Sequence, residues 1–97
     1  MTSSEGAVTR CRLRGELDCG SAAALVATVS HAVDGDVGLL ALDLDELSFC
    51  DAAGVTALLC VQAHAARHRT KVAVHGARGI VRRVFEIVEL GRAMRVV

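Results

Sequence analysis

The seven residues 38–44, GLLALDL, constrain the fold more than any other stretch of the chain. Turn-forming residues bound the run, with Asp34-Gly35-Asp36 before it and Asp45-Glu46 after it. A short apolar run bounded in this way fits a buried strand, as in a parallel sheet. A strand of that kind needs helices around it. The flanking sequence supplies them, because the apolar period switches between two and about 3.6 along the chain.

Residues 7–17 read as a strand with Arg10, Arg12 and Arg14 on one face and Cys11 and Leu13 on the other, bent or bulged at Gly15. Residues 1–6 are small and polar and are expected to form a flexible tail, which leaves 7–97 as one domain. Residues 21–33 predict a helix opened by Ser21, with Leu25, Val29 and Val33 four apart, and ended by Asp34-Gly35-Asp36. After the central strand, residues 45–50 read as a loop. Asp51 is then an N-cap for the longest helix, 52–68, with Val55, Leu58, Leu59, Gln62 and Ala66 inward. Residues 70–75 read as a strand. Residues 77–90 predict a third helix with Ile80, Val81, Val84, Phe85 and Val88 in one stripe and Gly91 just past its end, and 94–97 a last short strand. This order predicts an α/β fold: a single small sheet, mixed but mostly parallel, flanked by helices and joined by right-handed crossovers.

A chain of 97 residues holds one modest core and no second domain. At 53% hydrophobic it is too apolar for disorder, and with two Phe and no Trp or Tyr it cannot offer a base-stacking platform. A net charge of zero argues against a general affinity for nucleic acid or an anionic membrane. The charges are nonetheless segregated. Residues 34–51 hold six acids and no base, whereas 52–97 hold eight bases and two acids, Glu86 and Glu89. Either the two segments neutralise each other or the acidic one is a functional patch. The four cysteines, Cys11, Cys19, Cys50 and Cys60, match no zinc template and no Cys-x-x-Cys pair, so they read as small hydrophobes or neutral thiols. No secretion signal is apparent, and the longest nearly apolar stretch, 52–66, is short of the roughly 20 residues that span a bilayer. A cytoplasmic protein with no membrane contact is expected.

Ligands of open α/β sheets favour the carboxyl ends of strands. Two such ends stand out: Gly15-Glu16-Leu17-Asp18, and residues 47–54, which run into a helix N-terminus suited to a negative group. Asp18 and Asp51 form a conceivable acid–base pair, but capping and turn formation explain both more simply. His64 and His68 stand four apart on one helix face, without a third metal ligand. No catalytic triad and no phosphate-binding loop is present. No enzyme, metal or cofactor is expected.

Taken together, Arg12-Leu13-Arg14-Gly15-Glu16-Leu17-Asp18, the stretch from Leu42 through Phe49-Cys50-Asp51-Ala52-Ala53-Gly54 to Val55, and residues 81–91 resemble the STAS domain of bacterial anti-sigma factor antagonists. The resemblance covers residues 8–97. It implies a small sheet flanked by helices and no catalysis. The implied partner is an anti-sigma factor, a histidine-kinase-like ATPase, whose capture frees a sigma factor. In the family, that kinase switches the antagonist off by phosphorylating a Ser or Thr in Asp-Ser-(Ser/Thr)-Gly. Here the acceptor position is Ala53 and the one before it Ala52, so the switch is lost. Ser48 and Thr56 are the nearest substitute hydroxyls. The expected partner contact is Asp18, Asp45, Glu46, Asp51, Ala52, Ala53, Gly54 and Val55, clustered at one end of the sheet. The family's extra N-terminal edge strand has about seven residues available here, so it is expected to be short or missing. An edge left uncovered would offer a site to a second copy of the chain. Two other readings stay open: a subunit or adaptor of a larger signalling or lipid-transport assembly, and a small module for an anionic or lipid ligand.

Overall fold

A computed structural model describes residues 2–5, 8–32 and 38–97. The elements run β1 (Thr2–Glu5), β2 (Val8–Leu17), α1 (Ala22–Ala32), β3 (Leu39–Cys50), α2 (Ala52–Arg67), β4 (Lys71–His75), α3 (Gly79–Ile87) and β5 (Arg95–Val96), with a 3₁₀ turn at Leu90–Arg92 before β5. The strands lie in sequence order, β1-β2-β3-β4-β5. β1 is antiparallel to β2, and the other pairs are parallel. The α/β fold with a mostly parallel sheet is as expected. Met1, Gly6, Ala7, Val33 and the helix stop at Asp34-Gly35-Asp36 lie outside the described residues.

The register assigns each face of the sheet. Thr9, Leu40 and Val72 form one row across three strands, and Cys11, Leu42 and Val74 another. All six are buried and floor the core beneath Leu25, Val29, Leu58, Val61, Val81 and Phe85 of the helices. Consecutive parallel strands joined by right-handed crossovers place their helices on the same side of a sheet. The opposite face carries Arg10, Ala41, Ala73 and Arg95 in one row and Arg12, Asp43 and His75 in the next, and none of these is buried.

Three expectations need correction. First, the segment read as a tail holds β1, so the edge strand is short but present, and it covers Val8–Cys11 of β2. Among the described residues nothing pairs with 12–17 on that edge, which carry Arg12, Arg14 and Glu16, charges of the kind that keep an exposed edge from pairing. Second, residues 45–50 are strand and not loop. β3 continues along β2 through two register shifts, beside Arg14 and beside Gly15, which has φ +77°. The buried positions change from Leu40, Leu42 and Leu44 to Leu47 and Cys50, so the two-residue period breaks while the pairing persists. Third, α3 is shorter than predicted. It starts at Gly79, and Glu89 at φ +53° takes the left-handed position past its end, which the sequence offers to Gly91.

Candidate functional site

The ends of β2 and β3 build the site. Leu17 pairs with Cys50, so Asp18 and Asp51 leave neighbouring strand ends. The Leu17 carbonyl accepts the Asp51 N–H at 3.3 Å. Gly54, in the first turn of α2, presses its Cα against the same carbonyl and against Cys50 Sγ. A side chain at 54 would hold these two strand ends apart.

Both aspartates work for the backbone. Asp51 Oδ1 accepts the Gly54 N–H at 2.9 Å, the N-cap read from sequence. Asp18 Oδ1 accepts from the N–H groups of Gly20 and Ser21 at 2.9 and 3.2 Å. Ser21 is no simple cap: its Oγ donates to the Glu16 carbonyl at 2.8 Å and accepts from the Asp18 N–H at 3.0 Å, closing the turn between β2 and α1.

The expected contact residues divide into groups. Asp18, Asp51, Ala52, Ala53, Gly54 and Val55 come together. Of these, Gly54 and Val55 are buried, Ala52 is exposed, and Asp18, Asp51 and Ala53 are half-buried. Asp45 and Glu46 lie five to six residues back along β3, up to about 20 Å of extended chain from Asp51. Asp45 contacts Gly76, and its carbonyl accepts from Arg78 Nη2, which ties it to the turn after β4. Glu46 pairs with Arg14 Nε at 2.5 Å, and Asp43 with Arg12 Nε at 3.3 Å. Asp43 is held below the usual carboxylate range, chiefly by the Asp45 N–H it accepts, with His75 and Arg12 adding to that pull against its burial. Among the described residues the acidic segment is therefore partly neutralised by Arg12 and Arg14 of β2, with His75 and Arg78 of the second half close beside it. Among the described residues no group of three or more His, Cys, Asp or Glu could hold a metal ion.

The substitute hydroxyls are engaged. Ser48 Oγ donates to the Gly15 carbonyl at 2.9 Å, and Thr56 Oγ1 to the Ala52 carbonyl at 3.0 Å. Burial, with the Asp51 charge beside it, pushes the Cys50 thiol up to about 11. Folding thus favours the neutral thiol. Its contribution to stability is complete below the ordinary value of 9.0 and is lost as pH rises toward 11. A urea midpoint falling over that interval is expected, with a smaller fall in Cys50→Ala. An equal fall in both would remove Cys50 as the cause.

Sequence reasoning missed the apolar part of this surface. Phe49, two residues before the cap, is 37% exposed, and Leu59 on α2 is 41% exposed where an inward position was expected. On α3 only Val81 and Phe85 are buried. Ile80 and Val88 of the predicted stripe are exposed, as is Ile87. Ala52, Thr56 and Leu59 lie along one face of α2. Leu59 and Val88 share a groove of about 380 Å³ with Val55 and Leu90. The available signal was the width of the apolar arc on α3, broader than one sheet contact needs.

A family model described as "Mlab, STAS domain" matches residues 1–97. Solved structures share the fold. The Bacillus cell fate determinant SpoIIAA in its phosphorylated form is 24% identical, with TM-score 0.73, covering 100% of this chain and 89% of its own. An anti-sigma factor antagonist from Mycobacterium paratuberculosis is 22% identical, with TM-score 0.85 and coverage of 99% and 81%. A sulfate transporter family protein from Wolinella succinogenes is 18% identical, with TM-score 0.81 and coverage of 97% and 79%. No curated protein matches the sequence. No helix of the described residues is long and apolar enough to cross a membrane.

Proposed function

The chain belongs to the STAS domain family, and from that premise we propose that it is a protein-binding regulator, an anti-sigma factor antagonist that does no catalysis and lacks the family's phosphorylation switch. Its partner is an anti-sigma factor of the histidine-kinase-like ATPase type. The observation that carries this reading is the first turn of α2: Asp51 caps it, and Ala52 and Ala53 occupy the positions that resemble the family's Ser/Thr pair. From there Leu59 leads to the groove at Val88. An exposed apolar strip rimmed by charge suits a protein partner better than a small substrate. Asp45 and Glu46 steer the approach from the side.

The test is capture of an ATPase of that type by the immobilised chain, followed by association kinetics. Leu59→Glu is expected to weaken binding about tenfold or more, as a charge placed at the centre of a contact does. Reversing Asp45 and Glu46 together is expected to slow association at low salt and to leave dissociation nearly unchanged. Unaltered kinetics in both variants would remove this surface as the docking site. The likeness to a sulfate transporter family protein favours a second reading, a subunit of a transport assembly. Recovery of transporter subunits in place of the ATPase would establish it.

A further inference from the structure

At the opposite end of the sheet from Asp51, β5 pairs only with Ala73 and Val74 of β4. Lys71 and Val72 therefore lack a β5 neighbour on that edge. The second half of α2 and the segment before β5 flank the gap and leave a groove of about 490 Å³, within the roughly 300–1,000 Å³ usual for small-molecule sites. The groove wraps the edge of β4. On the helix-covered side it is lined by Gln62, Ala66, Val72 and Met94, and on the open side by Lys71 and Arg95, which lie in register with Leu39 and Ala73. Val72 and Met94 are buried and give it an apolar wall.

Two features of the lining limit what can fill it. Gln62 Oε1 is buried with no hydrogen-bond partner, an arrangement that buried polar atoms seldom keep. A carboxamide oxygen only accepts, so the missing group is an N–H or O–H donor. The second feature is the charge at the rim. Arg69 lines the groove but already has an interaction partner, which leaves Lys71 and Arg95. Both are exposed, and among the described residues neither side chain is paired. Among the described residues no acid lines the groove, so a cationic donor would meet repulsion and no counter-ion. A carboxylate would suit the rim but brings no donor for Gln62. A neutral aromatic ring with a donor suits both, because a ring face attracts Lys and Arg, and a Met sulfur packs well against a ring edge. The chain has no Trp or Tyr, so it holds no such ring of its own.

We infer that this groove binds a small neutral aromatic molecule that carries its own hydrogen-bond donor, of the indole or phenol class. Its N–H or O–H donates to Gln62 Oε1, its ring lies against Val72 and Met94, and Lys71 and Arg95 close over the ring from the open side. The site is separate from the Asp51 surface and does not depend on what binds there.

The test uses two matched pairs of probes, titrated into the full chain and followed by amide chemical shifts. Indole and benzofuran share a shape, but benzofuran has an acceptor oxygen in place of the N–H. Phenol and cyclohexanol share the O–H, but cyclohexanol has no aromatic face. Saturable shifts confined to residues 62–73 and 93–96 are expected, with indole about tenfold tighter than benzofuran. Phenol is expected to bind about threefold tighter than cyclohexanol, the scale of an exposed cation–ring contact. Gln62→Leu should bring indole down to the affinity of benzofuran and leave benzofuran no weaker. Lys71→Ser/Arg95→Ser should remove most of the advantage of phenol over cyclohexanol, with thermal melts of both variants confirming the fold. Benzofuran binding as tightly as indole, cyclohexanol as tightly as phenol, shifts elsewhere, or no saturable shift would overturn the inference, and these comparisons on the native chain need no variant.

Discussion

Gly54→Ala will destabilise the fold, the opposite of what helix propensity alone dictates. Within a helix, alanine is favoured over glycine by about 1 kcal/mol. Here the added Cβ would run into the Leu17 carbonyl and meet Cys50 Sγ at 2.8 Å. The carbonyl belongs to a paired strand and accepts the Asp51 N–H, so it cannot retreat cheaply. Overpacking of this kind costs about 1–3 kcal/mol and exceeds the propensity gain in all but the mildest case. For a domain of this size each kcal/mol is worth about 4–8 °C, so a fall in Tm on the order of 10 °C is expected. Gly91→Ala is the control: a Cβ there meets nothing within 4 Å, so its Tm should hold or rise slightly. A stabilised Gly54→Ala would mean that the strand ends and α2 are not locked together. Gly54→Val should be worse than Gly54→Ala, because two further methyl groups enter the same gap.

The same junction shows what the sequence carries. Asp51 and α2 were legible because a side-chain cap and a long 3.6-residue pattern are local properties. β3 was legible as far as Leu44, because a short apolar run bounded by turn residues is a local property too, and burial alternates strictly over that part. Beyond it Asp45-Glu46 and Ser48-Phe49 place two exposed residues together, which only the bulged partner β2 explains. A bulge belongs to a pair of strands, so neither strand's sequence announces it to the other. Faces went astray for a related reason. α2 buries Gly54, Ala57 and Ala65 along with Val55, Leu58 and Val61. Small residues let it approach its neighbours closely, and a hydropathy stripe undervalues them. The true inner face is consequently turned away from Leu59. That error hid the apolar part of the site.

The partly neutralised acids change the weight of the site. Arg14 sits on Glu46 and Arg12 on Asp43, yet exposed pairs of this kind contribute only about 0–1 kcal/mol. In the proposed complex they would leave the shoulder of β3 able to steer a partner without anchoring it. On the proposed reading, anchoring would fall to Leu59 and Val88, since large apolar side chains in water gain most from being covered.

Ala53→Ser should turn an unswitched module into a switched one. The native chain is expected to keep its mass when incubated with the kinase-like partner and ATP. Residues 52 and 53 have no hydroxyl, and those of Ser48 and Thr56 are committed to the carbonyls of Gly15 and Ala52. In Ala53→Ser the new Oγ attacks the γ-phosphorus of ATP, its proton passes to a base on the kinase, and ADP leaves. Residue 53 follows the cap by two positions, where free helix N–H groups and the positive dipole end tolerate an anion. The fold should therefore survive, with Tm nearly unchanged. Binding should not: the phosphate brings a charge of about −1.5 to −2 onto a surface fitted to a neutral methyl group, beside Asp51. A loss of affinity of about tenfold or more is expected, measured by titration of the phosphorylated against the unmodified variant. Phosphorylation of the native chain would contradict the lost switch. A phosphorylated Ala53→Ser variant that binds with undiminished affinity would show that charge at this turn does not govern docking, and would move the contact away from the start of α2.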